Sequence, residues 1–140
     1  MIVLDTSGLL AALDASERRH PQAAAALRAA GPDRLLSPFV LAELDDLLAT
    51  RVDRRVARTF LEEVAGGAYQ LAPFSADDVR AATAVLDRYA NLDLGLADAS
   101  IVVLAERHDA SDVLTLDERH FRALRNGQGR PFRLLPSDAA

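Results

Sequence analysis

The chain has 140 residues, a net charge of −5 and apolar side chains at half its positions, with aromatics at only 5%. Cysteine is absent, which excludes a disulfide framework and every thiolate metal site, and all 16 basic residues are arginine, which excludes a P-loop. The acidic balance argues against nucleic-acid binding through bulk charge, and no apolar run approaches the ~20 residues that span a bilayer. Length and apolar fraction fit one domain, assigned to residues 1–136 with a short frayed tail over 137–140. The N-terminus lacks the charged and apolar regions of a secretion signal, so the chain is expected to be cytoplasmic and unprocessed.

Strands and helices alternate along the chain. Ile2–Leu4 is a short apolar strand, and Ser7–Leu13 has helical apolar spacing. Gln22–Ala30 is an alanine-rich helix ending at Gly31. Leu35–Leu36 is a strand, and Ser37-Pro38 reads as a cap and first-turn proline for a helix to about Thr50. A further helix runs from Asp53 to about Ala65, followed by a strand over Tyr69–Leu71. Ser75 and Asp78 have capping-box spacing and open a helix to about Tyr89. Asn91–Gly95 is a loop, Leu96–Arg107 a helix, Val113–Leu116 a strand, Glu118–Leu124 a short helix and Phe132–Leu135 a last strand. Short strands separated by helices imply parallel pairing through right-handed crossovers, hence an α/β sandwich around a small sheet. Ligands in such folds bind beyond the carboxyl ends of the strands.

Four acidic residues stand where apolar segments end or begin. Asp5 closes Met1-Ile-Val-Leu4, Glu43 interrupts Phe39-Val-Leu-Ala42, Asp98 heads Ala99–Ala105, and Asp117 ends Asp112-Val-Leu-Thr-Leu116. Carboxylates are rarely buried unpartnered, because desolvating the charge is expensive. With no lysine and few arginines nearby in sequence, a hard divalent cation is the economical partner, and carboxylate oxygens suit Mg²⁺ or Mn²⁺. Phosphodiester hydrolysis is a chemistry that needs such a site. Each residue also has a bland reading. Asp5, Asp98 and Asp117 can be helix caps, and Glu43 a solvated helix position, as Asp45 and Asp46 are expected to be. Ser7 and Thr115 add hydroxyls beside Asp5 and Asp117. His20, His108 and His120 share no ligand spacing and read as surface or packing residues. Arg51, Arg54, Arg55 and Arg58 form the densest basic cluster, which alone reads as a solvated helix face.

Taken together, Met-Ile-Val-Leu-Asp5-Thr-Ser7, Ser37-Pro-Phe-Val-Leu-Ala-Glu43, Leu96-Ala-Asp98-Ala-Ser-Ile and Leu114-Thr-Leu-Asp117-Glu-Arg-His-Phe121 resemble the four signature segments of PIN-domain ribonucleases. Order and length match over essentially the whole chain, and within that superfamily it is most similar to VapC, the toxin of bacterial VapBC toxin–antitoxin pairs. The resemblance implies a three-layer α/β/α sandwich with a small parallel sheet and Mg²⁺- or Mn²⁺-dependent endonucleolytic cleavage of RNA, transfer or ribosomal. It implies Asp5, Glu43, Asp98 and Asp117 as metal ligands, with Ser7 and Thr115 as supporting hydroxyls. It also implies a homodimer and a cognate VapB-like antitoxin, for which Leu41, Leu44, Leu47, Leu48 and Phe60 are apolar anchors unless they pack the domain, and it gives Arg51, Arg54, Arg55 and Arg58 a second reading as a contact for RNA phosphate or antitoxin carboxylates. Two other readings stay open: a non-toxic PIN-type nuclease in RNA processing, and a catalytically silent partner-binding module.

Overall fold

The computed structural model describes residues 1–139. Strands β1 (Ile2–Leu4), β2 (Arg34–Leu36), β3 (Gln70–Leu71), β4 (Asp112–Leu114) and β5 (Arg133–Leu135) pair in parallel in the order β3-β2-β1-β4-β5. The inner strands carry unbroken apolar runs because both of their faces are covered. Val3, Leu4, Leu35, Leu36, Val113 and Leu114 are all fully buried, whereas both residues of the edge strand β3 are exposed.

Among the described residues the α-helices are α1 (Thr6–Leu13), α2 (His20–Ala29), α3 (Pro38–Arg51), α4 (Arg54–Ala65), α5 (Ala76–Arg88), α6 (Leu96–Arg107) and α7 (Glu118–Phe121). From β1 to β3 the chain steps one way across the sheet; from β3 through β4 to β5 it steps the other way. Right-handed crossovers therefore place α1–α4 on one face and α5–α6 on the other. Helix contacts agree: α1 packs on α2 and α3, α3 on α4, and α5 on α6. The direction reverses between β1 and β4, so the crevice at their carboxyl ends is the topological switch point, where α/β sheets bind ligands. Asp5 follows β1 and Asp117 lies just past β4, so the topology alone brings these two carboxylates to that crevice.

Local sequence explains the helices that frame it. Ser37 Oγ accepts from Phe39 N at 3.2 Å, Pro38 occupies the first helical position of α3, and Val40, Leu44 and Leu48 form its buried stripe. Asp53 caps α4, accepting from Arg55 N at 2.6 Å, and Ala57, Phe60 and Val64 face the core. Ser75 and Asp78 cap α5 reciprocally, at 3.3 and 2.7 Å. In α6 the residues from Ala99 to Ala105 are all buried.

Several boundaries differ from the sequence reading. Helix α1 starts at Thr6 and α2 at His20, with Pro21 in its first turn. The stretch read as a loop opens with a 3-10 turn over Ala90–Leu92. Strand β4 ends at Leu114 rather than Leu116, because Leu116 N and Asp117 N donate to the Ser7 and Thr115 hydroxyls instead of to a neighbouring strand. Helix α7 stops at Phe121, short of Leu124. The tail is not frayed through Asp138. Arg122 grips both carboxylate oxygens of Asp138 at 2.7 and 2.8 Å, Leu134 N donates to it, and Ser137 Oγ donates to Glu118. The last residue of that expected tail, Ala140, lies outside the described residues.

Candidate active site

Asp5 is the buried centre of the crevice, 5% exposed. It holds the N-cap position of α1 without making a capping bond, so the cap reading of its side chain does not hold. Its Oδ2 instead accepts from Ser7 Oγ at 2.8 Å and from Thr115 Oγ1 at 2.7 Å. Each hydroxyl is used twice, since Ser7 Oγ accepts from Leu116 N and Thr115 Oγ1 from Asp117 N, both at 2.9 Å. Asp5, the start of α1 and the end of β4 are thereby locked together, and the second oxygen of Asp5 receives no side-chain donor. Burial pushes the Asp5 carboxyl up to about 6, against the lowering effect of both hydroxyls, and the charge of Asp98 pushes the same way.

The other three carboxylates come from three further elements. Asp98, in the first turn of α6, accepts from Gly95 N at 3.1 Å through Oδ2, as its cap reading expects. Its carboxyl is also raised, by burial first and then by the negative charges of Asp117 and Glu43. Asp117 caps α7, accepting from His120 N at 3.2 Å, and its other oxygen accepts from His120 Nδ1–H at 2.9 Å. Glu43, exposed on α3, accepts through Oε1 from Thr6 Oγ1 at 2.7 Å. Thr6 and His120 thus contact the acidic quartet, whereas the sequence reading gave Thr6 no separate role and took His120 for a surface or packing residue. The Asp117-x-x-His120 spacing was the available signal for His120, since residues three apart meet on one helical face.

Charge links the four carboxylates through Asp98, which acts on Asp5 and is itself acted on by Asp117 and Glu43. Among the described residues no three of them, with or without a histidine, are drawn close enough to enclose an ion as they stand. Glu43 and Asp98 each keep one oxygen free of any protein donor among the described residues, Asp5 adds the Thr6 backbone N–H to its two hydroxyl donors, and no arginine lies against the cluster. Among the described residues every fully buried side-chain N or O has a partner, so the free oxygens of Glu43 and Asp98 face solvent. Hard, unneutralised oxygens opening from one crevice fit a hard divalent cation.

A buried hydroxyl relay ties the two helices that carry Glu43 and Asp98. Ser100 Oγ donates to Ala97 O at 2.6 Å and lies 2.7 Å from Ser37 Oγ, which in turn caps α3. Both serines are wholly buried. Gly8 sets the approach of α1 to β4: a Cβ there would stand 2.4 Å from Leu114 O and 2.7 Å from Thr115 N.

Elsewhere the structure separates expectations. His20 packs as expected, its Nδ1–H donating to Ala11 O at 2.8 Å. Leu44, Leu48 and Phe60 are buried in the core and cannot anchor a partner; they lie on the faces of α3 and α4 turned inward, while Leu41 and Leu47 are only partly covered. All four residues of the arginine cluster, Arg51, Arg54, Arg55 and Arg58, are exposed.

The PIN domain family profile matches residues 2–126. The chain belongs to the PIN-domain family. Ribonuclease VapC26 of Mycobacterium tuberculosis is 41% identical over 135 residues, covering 96% of this chain and 100% of that protein, so this PIN domain is of the VapC type. Among solved structures, Mycobacterium tuberculosis VapC20, a sarcin-ricin loop cleaving toxin, superposes with a TM-score of 0.77 at 23% identity, covering 84% of this chain and 90% of that one. A toxin–antitoxin complex from Klebsiella pneumoniae gives 0.67 at 22% identity, covering 89% and 92%. These two share the PIN fold with this VapC-type chain. No helix among its described residues is long and apolar enough to cross a membrane.

Proposed function

We propose that this VapC-type PIN domain is a Mg²⁺- or Mn²⁺-dependent endoribonuclease, the toxin of a toxin–antitoxin pair, with Asp5, Glu43, Asp98 and Asp117 as the cation ligands. The observation that carries the reading is the buried Asp5 carboxylate at the switch point, raised in pKa, spent on no cap, and within charge reach of Asp98, which in turn feels Asp117 and Glu43. When bound, the cation would supply Lewis acidity toward the phosphate and lower the pKa of a water nucleophile. The chain's own part is orientation. Ser7 and Thr115 fix Asp5, Thr6 steadies Glu43, the Gly95 amide holds Asp98, and His120 holds Asp117. Each orienting bond fixes the carboxylate it touches at the crevice.

The 41% identity to a ribonuclease over the full length supports RNA as the substrate, and the fold neighbour that cleaves the sarcin-ricin loop supports a structured RNA. The toxin–antitoxin complex among the neighbours supports a cognate antitoxin, and we place a homodimer in the same reading. Expression of the chain alone in a bacterial host is expected to arrest growth and leave discrete RNA fragments. Co-expression of a cognate antitoxin should relieve the arrest. Undisturbed growth with intact RNA, in cells that accumulate the folded protein, would count against a toxin and leave the non-toxic nuclease or the silent partner-binding module.

A further inference from the structure

The arginine cluster is the feature of the surface that the carboxylate site does not absorb. Arg54 and Arg55 lie in the first turn of α4, and Arg58 follows Arg54 by one turn. These three, with Asp45, Ala49 and Ala57, line an open cavity of about 440 Å³ between α3 and α4. Arg51 stands apart from it, within Coulombic reach of Asp14, whose carboxyl the Ser16 hydrogen bonds already hold below its usual range. Asp45, expected to be solvated, is half-buried beside the cavity.

Four of the 16 arginines are ion-paired among the described residues. Arg80, Arg107, Arg122 and Arg133 each pair with a carboxylate. Among the described residues, Arg54, Arg55 and Arg58 pair with none, although the chain carries an excess of acids. Like charges one helical turn apart oppose each other, so the fold gains nothing from keeping Arg54 and Arg58 together. The amino end of α4 adds its positive dipole to the same patch. Asp45 and Ala49 stand about 3 and 9 Å further along α3 than Glu43, and about 200° and 240° around its axis. The positive cavity therefore opens on the flank of α3 opposite the carboxylate crevice.

We propose that Arg54, Arg55 and Arg58 form a phosphate-binding subsite that holds the RNA backbone across α3 from the cleavage crevice. The inference rests on the ribonuclease reading and deepens it. An acidic protein whose crevice repels a polyanion needs a local positive surface to bring RNA in. Guanidinium groups bind phosphate oxygens through paired N–H donors.

The test measures binding rather than cleavage, in full-length Asp98→Asn protein so that RNA stays intact. Affinity for a labelled single-stranded RNA is followed by anisotropy across a salt series. Replacing all three arginines by Gln is expected to weaken binding about tenfold to a hundredfold, and to reduce the slope of log K against log salt by about 2, at about 0.7 per lost phosphate contact. Replacement by Lys, which keeps the charge, should retain most of the slope. The side chains are exposed and unpaired, so the variants keep the fold, which circular dichroism checks. Unchanged RNA affinity and slope in the Gln variant, with wild-type arginines still cleaving RNA, would overturn the subsite and leave the nuclease standing. Loss of binding to a polyglutamate peptide with RNA binding intact would overturn it too, in favour of a protein partner. A parent protein that neither binds nor cuts RNA would overturn both.

Discussion

In cation-free buffer at pH 7, Asp5→Asn is expected to make the protein more stable, by up to about 3 kcal/mol. The sign follows from Asp5, whose folded pKa is raised from 3.8 to about 6 by burial. Between those values the folded state binds more protons than the unfolded state, so stability falls as pH rises, and the loss is complete above about 6. At about 1.4 kcal/mol for each tenfold change in proton affinity, the rise amounts to about 3 kcal/mol. Asparagine keeps an oxygen where Ser7 and Thr115 donate and adds no charge to the crevice. Urea unfolding of both proteins from pH 4 to 8 measures the difference, in which the exposed carboxylates with lowered pKa, such as Asp138, cancel. The variant's advantage should grow from about pH 4 to 6 and vanish in more acid buffer. Adding Mg²⁺ or Mn²⁺ should reverse the order, since a ligand at a hundred times its Kd stabilises the folded state by about 2.7 kcal/mol. A variant less stable than the parent at neutral pH, with no pH trend in the difference, would show that the Asp5 charge is not strained.

The second large effect is Gly8→Ala. Helix propensity alone predicts stabilisation by about 1 kcal/mol, because Gly8 lies inside α1. The packing predicts the opposite. The new Cβ would stand 2.4 Å from Leu114 O, 2.5 Å from Leu114 C and 2.7 Å from Thr115 N, all backbone atoms of the sheet's inner strand and its exit. Backbone cannot swing aside, so α1 must lift, and overpacking of this kind costs about 1–3 kcal/mol or more. Lifting α1 also pulls Ser7 from Asp5 and from Leu116 N, so cleavage should fall with stability. A urea midpoint equal to or above that of the parent would show that α1 can move off β4 without cost.

The four carboxylates were legible in the sequence because each breaks an apolar segment at its end, where a charge has no reason to sit without a partner. The parallel sheet was legible because its strands are short, apolar and separated by helices. Thr6 and Gly8 were not. Their roles depend on how closely α1 approaches α3 and β4, which is a tertiary distance that no periodicity encodes. The end of β4 was misplaced for a related reason: hydroxyls of Ser7 and Thr115 take the backbone donors that a longer strand would have used. The apolar spacing of α3 and α4 identified Leu44, Leu48 and Phe60 as apolar anchors but could not say whether core or partner covers them. The structure gives them to the core.

The carboxylate crevice is tested most directly by cation-dependent cleavage with the purified, antitoxin-free protein, measured on total bacterial RNA beside its Asp98→Asn variant. The expected result is discrete fragments with Mg²⁺ or Mn²⁺, none with EDTA, and none from the folded variant. Cleavage that survives both chelation and Asp98→Asn would contradict the assignment of the carboxylate crevice as the catalytic cation site.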